Sequence, residues 1–253
     1  MNPTSNIAEV RLALSLLKKK KASEFVIEGE RLIREANDLI CFLLYAKESP
    51  LVKWVKDKNK KTIKISKQET ELLSSVITTQ GVIAVANKPE FDISDIYKKK
   101  NPLLVLCAGI QDPGNLGTII RCADAACADA VLLSKGTVEL YNQKVIRSTM
   151  GSIFHLPVIE CQETEKVIKE LKSKGIRVIA ADASGKRNLW EENYKSPTAI
   201  VIGNEGAGIP DNILDLCDNV ASVPILGKAE SLNAAMTASI FLYEAVRQRW
   251  LKE

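Results

Sequence analysis

Two short runs of unbroken apolar residues, Leu103-Leu-Val-Leu-Cys107 and Ala199-Ile-Val-Ile202, constrain this chain more than any other feature. A strand that is apolar at every position, rather than at every second one, is covered on both faces. That is the condition of a parallel sheet with helices on either side. The pattern predicts further strands near 130–133, 156–160, 176–181 and 219–223. Helices are predicted near 116–127, 142–150, 163–174, 210–217 and 232–249. Strand and helix alternate throughout this half, as an α/β fold requires.

The first hundred residues repeat the alternation on a smaller scale. Residues 1–20 read as a basic amphipathic helix. Strands are predicted at 25–27, 39–45, 62–65 and 82–86, and helices at 29–37 and 67–76, which together imply a small α/β sandwich. Residues 87–101 begin Asn-Lys-Pro and end Lys-Lys-Lys-Asn before Pro102, and they read as a hinge. The expected division is a domain over 1–88, a linker over 89–101 and a second domain over 102–253.

Charge separates the two halves. Residues 1–100 hold 19 Lys and Arg against 13 Asp and Glu, and residues 101–253 hold 16 against 18. The excess is clumped at Lys18, Lys19, Lys20 and Lys21, at positions 53–64 and at 98–100. Clumped lysine suits a polyanion such as RNA, and it also suits a plain solvated surface. Few aromatics interleave with it, so stacking on single strands is poorly supported. No run of 18 uncharged apolar residues occurs, which argues against a membrane span. The start of the chain lacks the pattern of a signal peptide. The six cysteines have no C-x-x-C spacing and read as small core residues of a reducing cytoplasm, with no metal site.

Three loops carry the candidate chemistry, each at a strand end or a helix start where backbone N–H groups are free. Asp112-Pro-Gly-Asn115-Leu-Gly117-Thr-Ile-Ile-Arg121 follows the first buried strand. Asn115 reads there as a helix N-cap, and Arg121 as a phosphate clamp or a surface ion-pair partner. Gly203-Asn-Glu205-Gly-Ala-Gly208 follows the second, and its glycines permit close backbone approach to a ligand. The order is not that of a dinucleotide fingerprint, and an ordinary glycine-rich turn would look the same. Ser231-Leu232-Asn233 heads the last helix, where Ser or Asn acts as the cap. A fourth stretch, Lys144 to Gly151, is a basic helix end that suits either phosphate or the helix dipole. His155 is the only histidine, and nothing nearby recommends it for catalysis.

Taken in order, these three motifs resemble those of the SpoU class of SPOUT RNA 2′-O-methyltransferases, and the resemblance runs over almost the whole chain. Asn115, Gly117 and Arg121 match the first motif, Gly203 to Gly208 the second, and Ser231 to Asn233 the third, preceded by Val223-Pro-Ile-Leu-Gly227. Phe25-Val-Ile-Glu-Gly-Glu-Arg31 is similar to the opening of the family's L30e-like substrate-binding domain. The resemblance implies a C-terminal domain with a parallel sheet and a deep trefoil knot, S-adenosylmethionine held in the knot, and a homodimer. It implies Asn115, Arg121, Glu205, Ser231 and Asn233 as the catalytic group. The backbone around Gly203, Val223, Ile225 and Leu232 would cradle the cofactor. Lys18 to Lys21, Lys144 and Arg147 would meet RNA. One departure is Ala126-Cys127, where relatives tend to have a Phe-Gly pair.

The family proposal makes Arg121 the base. A guanidinium with a pKa above about 12 is poorly suited to that, so a clamp on a substrate phosphate and a developing alkoxide is the preferred role. The proton acceptor is then a phosphate oxygen, water or Glu205. The expected substrate is large-subunit rRNA, with transfer RNA as the alternative. A non-catalytic RNA-binding protein that kept the fold is the rival reading.

Overall fold

The computed structural model describes residues 7–18, 22–161 and 163–250. They form two units. One comprises the described residues up to Glu90 together with Tyr141–Phe154, and the other comprises Phe91–Leu140 and His155 onward.

The first unit runs α1 (Ala8–Leu16), β1 (Glu24–Glu28), α2 (Glu30–Ala36), β2 (Ile40–Tyr45), α3 (Pro50–Asp57), β3 (Lys61–Lys64), α4 (Lys67–Leu73) and β4 (Val82–Asn87). Its sheet has the order β1-β4-β2-β3, antiparallel except for the β2–β3 pair. Val10, Ala13 and Leu16 of α1 bury one stripe against Val26, Phe42, Leu44 and Val85 of the sheet. The helix is shorter than the expected 1–20, and residues 1–6 and 19–21 lie outside the described residues. Helix α3 was not foreseen. Its signals are in the chain: Ser49 accepts from Val52 N at 3.3 Å, and Pro50 occupies the first turn, where its missing N–H costs nothing. Helix α4 carries a reciprocal cap between Ser66 and Glu69.

Beyond β4 come α5 (Ile93–Tyr97), β5 (Leu103–Ala108), α6 (Pro113–Ala125), β6 (Ala130–Leu133), α7 (Gln143–Thr149), β7 (Val158–Glu160), α8 (Thr164–Ser173), β8 (Arg177–Ala181), β9 (Arg187–Asn188), β10 (Thr198–Gly203), α9 (Asp211–Leu214), β11 (Asn219–Ser222) and α10 (Ala234–Trp250). Part of the expected linker is therefore the helix α5, capped by Asp92, whose Oδ1 accepts from Ser94 N at 2.8 Å.

Helix α7 belongs to the first unit, not to the 102–253 domain expected from the sequence. Aromatic packing is the reason. Phe25 of β1 meets Tyr141 at 4.7 Å and Phe154 at 6.0 Å between ring centroids, and Gln143 Nε2 donates to the Val26 carbonyl at 2.9 Å.

The second unit holds a seven-stranded, all-parallel sheet of order β7-β6-β5-β10-β8-β11-β9. Strands β5 and β10 are the two apolar runs. They lie side by side at its centre, with Cys107 opposite Ile202 and Ala108 opposite Gly203. Ile168, Leu171, Ile209 and Ile213 cover one face, while α10 lies along α6 and against β10. Cys107 is buried as expected, but Cys127 is exposed at a positive φ of 52°, at a helix end where the chain must turn. No helix of the described residues is long and apolar enough to cross a membrane, and no cluster of His, Cys, Asp and Glu among them suits a metal ion.

Candidate active site

All seven strands point the same way, so their following loops gather at one end of the sheet, the place where open α/β folds take ligands. Strand β10 comes late in the chain yet sits between β5 and β8, with Ile202 opposite both Cys107 and Ala181. The loops after β5, β8 and β10 are thereby neighbours. With the segment from Val223 to Asn233 they enclose a cavity of about 580 Å³, within the usual range for small-molecule sites.

Gly203, Val223, Ile225 and Leu232 line this cavity, and so do Asn115, Glu205, Ser231 and Asn233. Three of these side chains form a bracket along its rim. Glu205 Oε1 accepts from Asp112 N and from Asn115 Nδ2, and Glu205 Oε2 accepts from Gln111 N, each at 3.0 Å. Asn115 Oδ1 accepts from Asn233 Nδ2 at 2.8 Å. Asn233 Oδ1 in turn accepts from the backbone N–H of Ala235 and Met236, so Asn233, not Ser231, starts α10. Burial raises the proton affinity of Glu205, but the N–H donors of Gln111, Asn115 and Asp112 outweigh it. Its carboxyl therefore stands below the ordinary range.

Asn115 is not the cap of α6. Asp112 is, with Oδ1 accepting from Asn115 N at 2.9 Å. Pro113 favours the first helical position, so the cap falls just before it. Asn115 is thereby inside the first turn, where its side chain is free to reach Glu205 and Asn233.

Asn204, which was not among the expected site residues, organises the glycine loop. Its Oδ1 accepts from Gly206 N and Ala207 N, and its Nδ2 donates to the Gly109 carbonyl, each at 2.9 Å. Its backbone exchanges two 3.0 Å hydrogen bonds with Gly208. An Asn between glycines is itself a signal, since its side chain competes for nearby backbone groups. Gly203 lines the cavity, and its smallness also has a packing role. A Cβ there would lie 2.6 Å from the Gly208 carbonyl carbon and 2.5 Å from Ile209 Cγ1, so its smallness closes the loop on itself. Asp182, after β8, and Phe241, on α10, also line the cavity and were missed.

Arg121 stands apart. It is exposed on α6, six residues beyond Asn115 and so about 9 Å along the helix, and it does not line the cavity. Among the described residues it takes no ion pair. His155 Nδ1 lies 3.4 Å from Asp124 Oδ2, a surface pair.

Of the residues expected to meet RNA, Lys19, Lys20 and Lys21 lie outside the described residues. Lys18 is exposed beyond α1. Lys144 and Arg147 are on α7 in the first unit, where Arg147 Nη1 donates to Ser75 Oγ. The same unit carries a basic aromatic cluster that the charge pattern did not foretell. The Trp54 ring lies 5.3 Å from the Arg34 guanidinium carbon and 5.0 Å from Lys58 Nζ.

Comparison with known proteins points to one family. The family model described as the SpoU rRNA Methylase family matches residues 102–243. A 23S rRNA (guanosine(2553)-2′-O)-methyltransferase of Bacillus subtilis is 34% identical, over 89% of this chain and 89% of its own. A 23S rRNA (uridine(2479)-2′-O)-methyltransferase of Streptomyces viridochromogenes is 32% identical, over 92% and 85%. Among solved structures, the SpoU methyltransferase AviRb of Streptomyces viridochromogenes in complex with AdoMet superposes with a TM-score of 0.89 at 30% identity, covering 98% of this chain and all of that one. The AdoMet-bound rRNA methyltransferase of Sinorhizobium meliloti gives 0.84 at 29% identity, with 99% and 98% covered. The chain belongs to the SpoU rRNA methylase family.

Proposed function

We propose that this protein transfers a methyl group from S-adenosylmethionine to a ribose 2′-OH of RNA, and that the RNA is large-subunit rRNA. The observation that carries the reading is the Glu205–Asn115–Asn233 bracket on the rim of a cavity of about 580 Å³. The rRNA assignment draws on the names of the relatives.

The residues present fit the cofactor. Ile202, Ile209, Val223, Ile225, Leu232 and Phe241 offer apolar wall for a nucleobase, and Asp182, Glu230 and Ser231 offer polar partners to the remainder. When bound, the cofactor supplies an electrophilic methyl on a sulfonium. The chain must bring a 2′-OH into line with it, and placement of this kind removes on the order of 7 to 11 kcal/mol at best. Asn115 and Asn233 hold the rim rigid, and Ser231 offers a hydroxyl beside it. Arg121 clamps a substrate phosphate and stabilises the developing alkoxide. Glu205, with both oxygens already accepting N–H donors, is unsuited to take a proton. That leaves a phosphate oxygen or water as the acceptor.

Four further elements belong to the proposal. The second unit carries a trefoil knot, a reading supported by the chain's membership of the SpoU family. The first unit is an L30e-like RNA-binding module, supported by its four-stranded mixed sheet and its lysines. The protein is a cytoplasmic homodimer. On α10, Met236, Tyr243 and Trp250 recur every seven residues and are 57, 52 and 81% exposed. Such an apolar stripe on one helix face suits a second copy of the chain. Nuclease digestion of RNA labelled by the purified protein tests the activity. A 2′-O-methyl nucleoside is expected, and a base-methylated nucleoside would overturn the assignment.

A further inference from the structure

Two of the four carboxylates on the cavity wall already have a task. Glu205 holds three N–H donors, and Asp112 caps α6. Asp182 is different. It follows Ala181, which pairs with Ile202, so it stands beside Gly203 at the carboxyl end of the sheet. Its N–H donates to the Ala221 carbonyl at 3.1 Å, and its carbonyl accepts from Gly185 N at 3.1 Å. Its Oδ1 accepts from Ser184 N at 2.9 Å and from Ser184 Oγ at 2.7 Å. Main chain and one carboxylate oxygen are therefore held.

The other oxygen is not. Oδ2 accepts no hydrogen bond among the described residues, and it faces Gly208, where a Cβ would lie 3.5 Å from it. A carboxylate oxygen is an acceptor only, so a fixed one on a cavity wall calls for a ligand donor. The remaining acid, Glu230, is exposed on the irregular segment before α10 and is held by no such turn.

We infer that Asp182 is the residue that recognises the ribose of the adenosyl cofactor, its free Oδ2 accepting from a ribose hydroxyl. This rests on the cofactor reading above. The choice of ribose follows from what flanks Asp182. The apolar residues next to it, Ile202 and Ile209 on one side and Val223 on the other, suit the nucleobase. The ribose is the group bonded directly to that base, whereas the α-ammonium is a whole side chain away. A carboxylate taking a ribose hydroxyl at the end of a parallel strand is also sound α/β chemistry.

Isothermal calorimetry on the full chain tests this with S-adenosylhomocysteine and its 2′-deoxy, 3′-deoxy and α-deamino analogues. The wild type should bind at least one deoxy analogue roughly 10- to 100-fold more weakly, the loss expected of a hydrogen bond to a charged acceptor. Asp182→Asn should weaken S-adenosylhomocysteine by a similar factor and bind the same deoxy analogue with no further loss. Equal wild-type affinity for the parent and both deoxy analogues would overturn the inference without any variant. So would a variant in which discrimination against the α-deamino analogue vanished instead, or collapse of the deoxy discrimination in Glu230→Gln. Failure of the wild type to bind S-adenosylhomocysteine at all would overturn the cofactor reading itself.

Discussion

At the scale of single residues, the groups that hold the shape of the site are distinct from Arg121, the one proposed to meet substrate. Arg121 on α6 takes no ion pair among the described residues, so Arg121→Ala should leave folding and cofactor affinity near wild type. Methyl transfer should fall by about 10²-fold or more, the order expected when a preorganised charge stabiliser is removed. Single-turnover assays beside calorimetry separate the two effects. Gly203→Val should do the reverse. Its Cβ meets the Gly208 carbonyl and Ile209, so the glycine loop must open, and cofactor affinity should drop even before chemistry is measured. Equal losses of cofactor affinity in both variants would refute this division. Glu205 has a pH signature. Its carboxyl is depressed in the folded protein. The stabilisation it contributes is therefore complete above the unfolded value of about 4.3 and disappears as pH falls through the lower folded value. The melting-temperature gap between wild type and Glu205→Gln should be constant from pH 8 to about 5 and shrink below that.

At the scale of elements, α10 joins two tasks. Its first turn is capped by Asn233, which also reaches Asn115. Its far end is tied by Arg249 to the carbonyls of Tyr194, Asn101 and Ser196 at 2.7 to 2.9 Å. Loss of a cap costs about 1 kcal/mol, and Asn233→Ala also removes a side-chain bond. Urea denaturation should show a loss of roughly 1 to 2 kcal/mol. The outward stripe of the same helix makes a separate prediction. Met236→Glu with Tyr243→Glu should give a folded monomer by sedimentation equilibrium, because neither side chain is buried within the chain. An unchanged mass would remove α10 from the proposed dimer interface.

At the scale of the whole molecule, the basic excess of the first hundred residues asks whether that unit binds RNA. Deleting residues 1–88 is a poor test, because Phe25 packs with Tyr141 and Phe154 and its removal would expose them. Replacing Lys18, Lys19, Lys20 and Lys21 with Gln is cleaner. For each phosphate that is no longer neutralised, the log–log salt dependence of RNA binding should flatten by about 0.7 to 0.9. Cofactor affinity should not change. An unaltered slope would mean that these lysines are only solvated surface.

The sequence by itself determined which strands are covered on both faces and which loops matter. A strand apolar at every position has no solvent face, so Leu103–Cys107 and Ala199–Ile202 had to be buried on both sides. That they pair in parallel was decided by the tertiary structure, since Val82–Ala86 is just as apolar and pairs antiparallel. The Gly, Asn and Asp that follow the two runs had to be loops. It also carried the order of the three motifs, and with it the family. What it did not carry was which side chains touch. Asn115 and Asn233 are 118 positions apart. They meet only because β10 inserts between β5 and β8 and α10 then returns along α6. The cap of α6, the self-closure of the loop around Asn204 and the free oxygen of Asp182 depend on backbone angles and neighbours that no local pattern encodes. The placement of α7 in the first unit has the same origin. Helical periodicity says which face of α7 is apolar, but only the tertiary structure decides what that face is buried against.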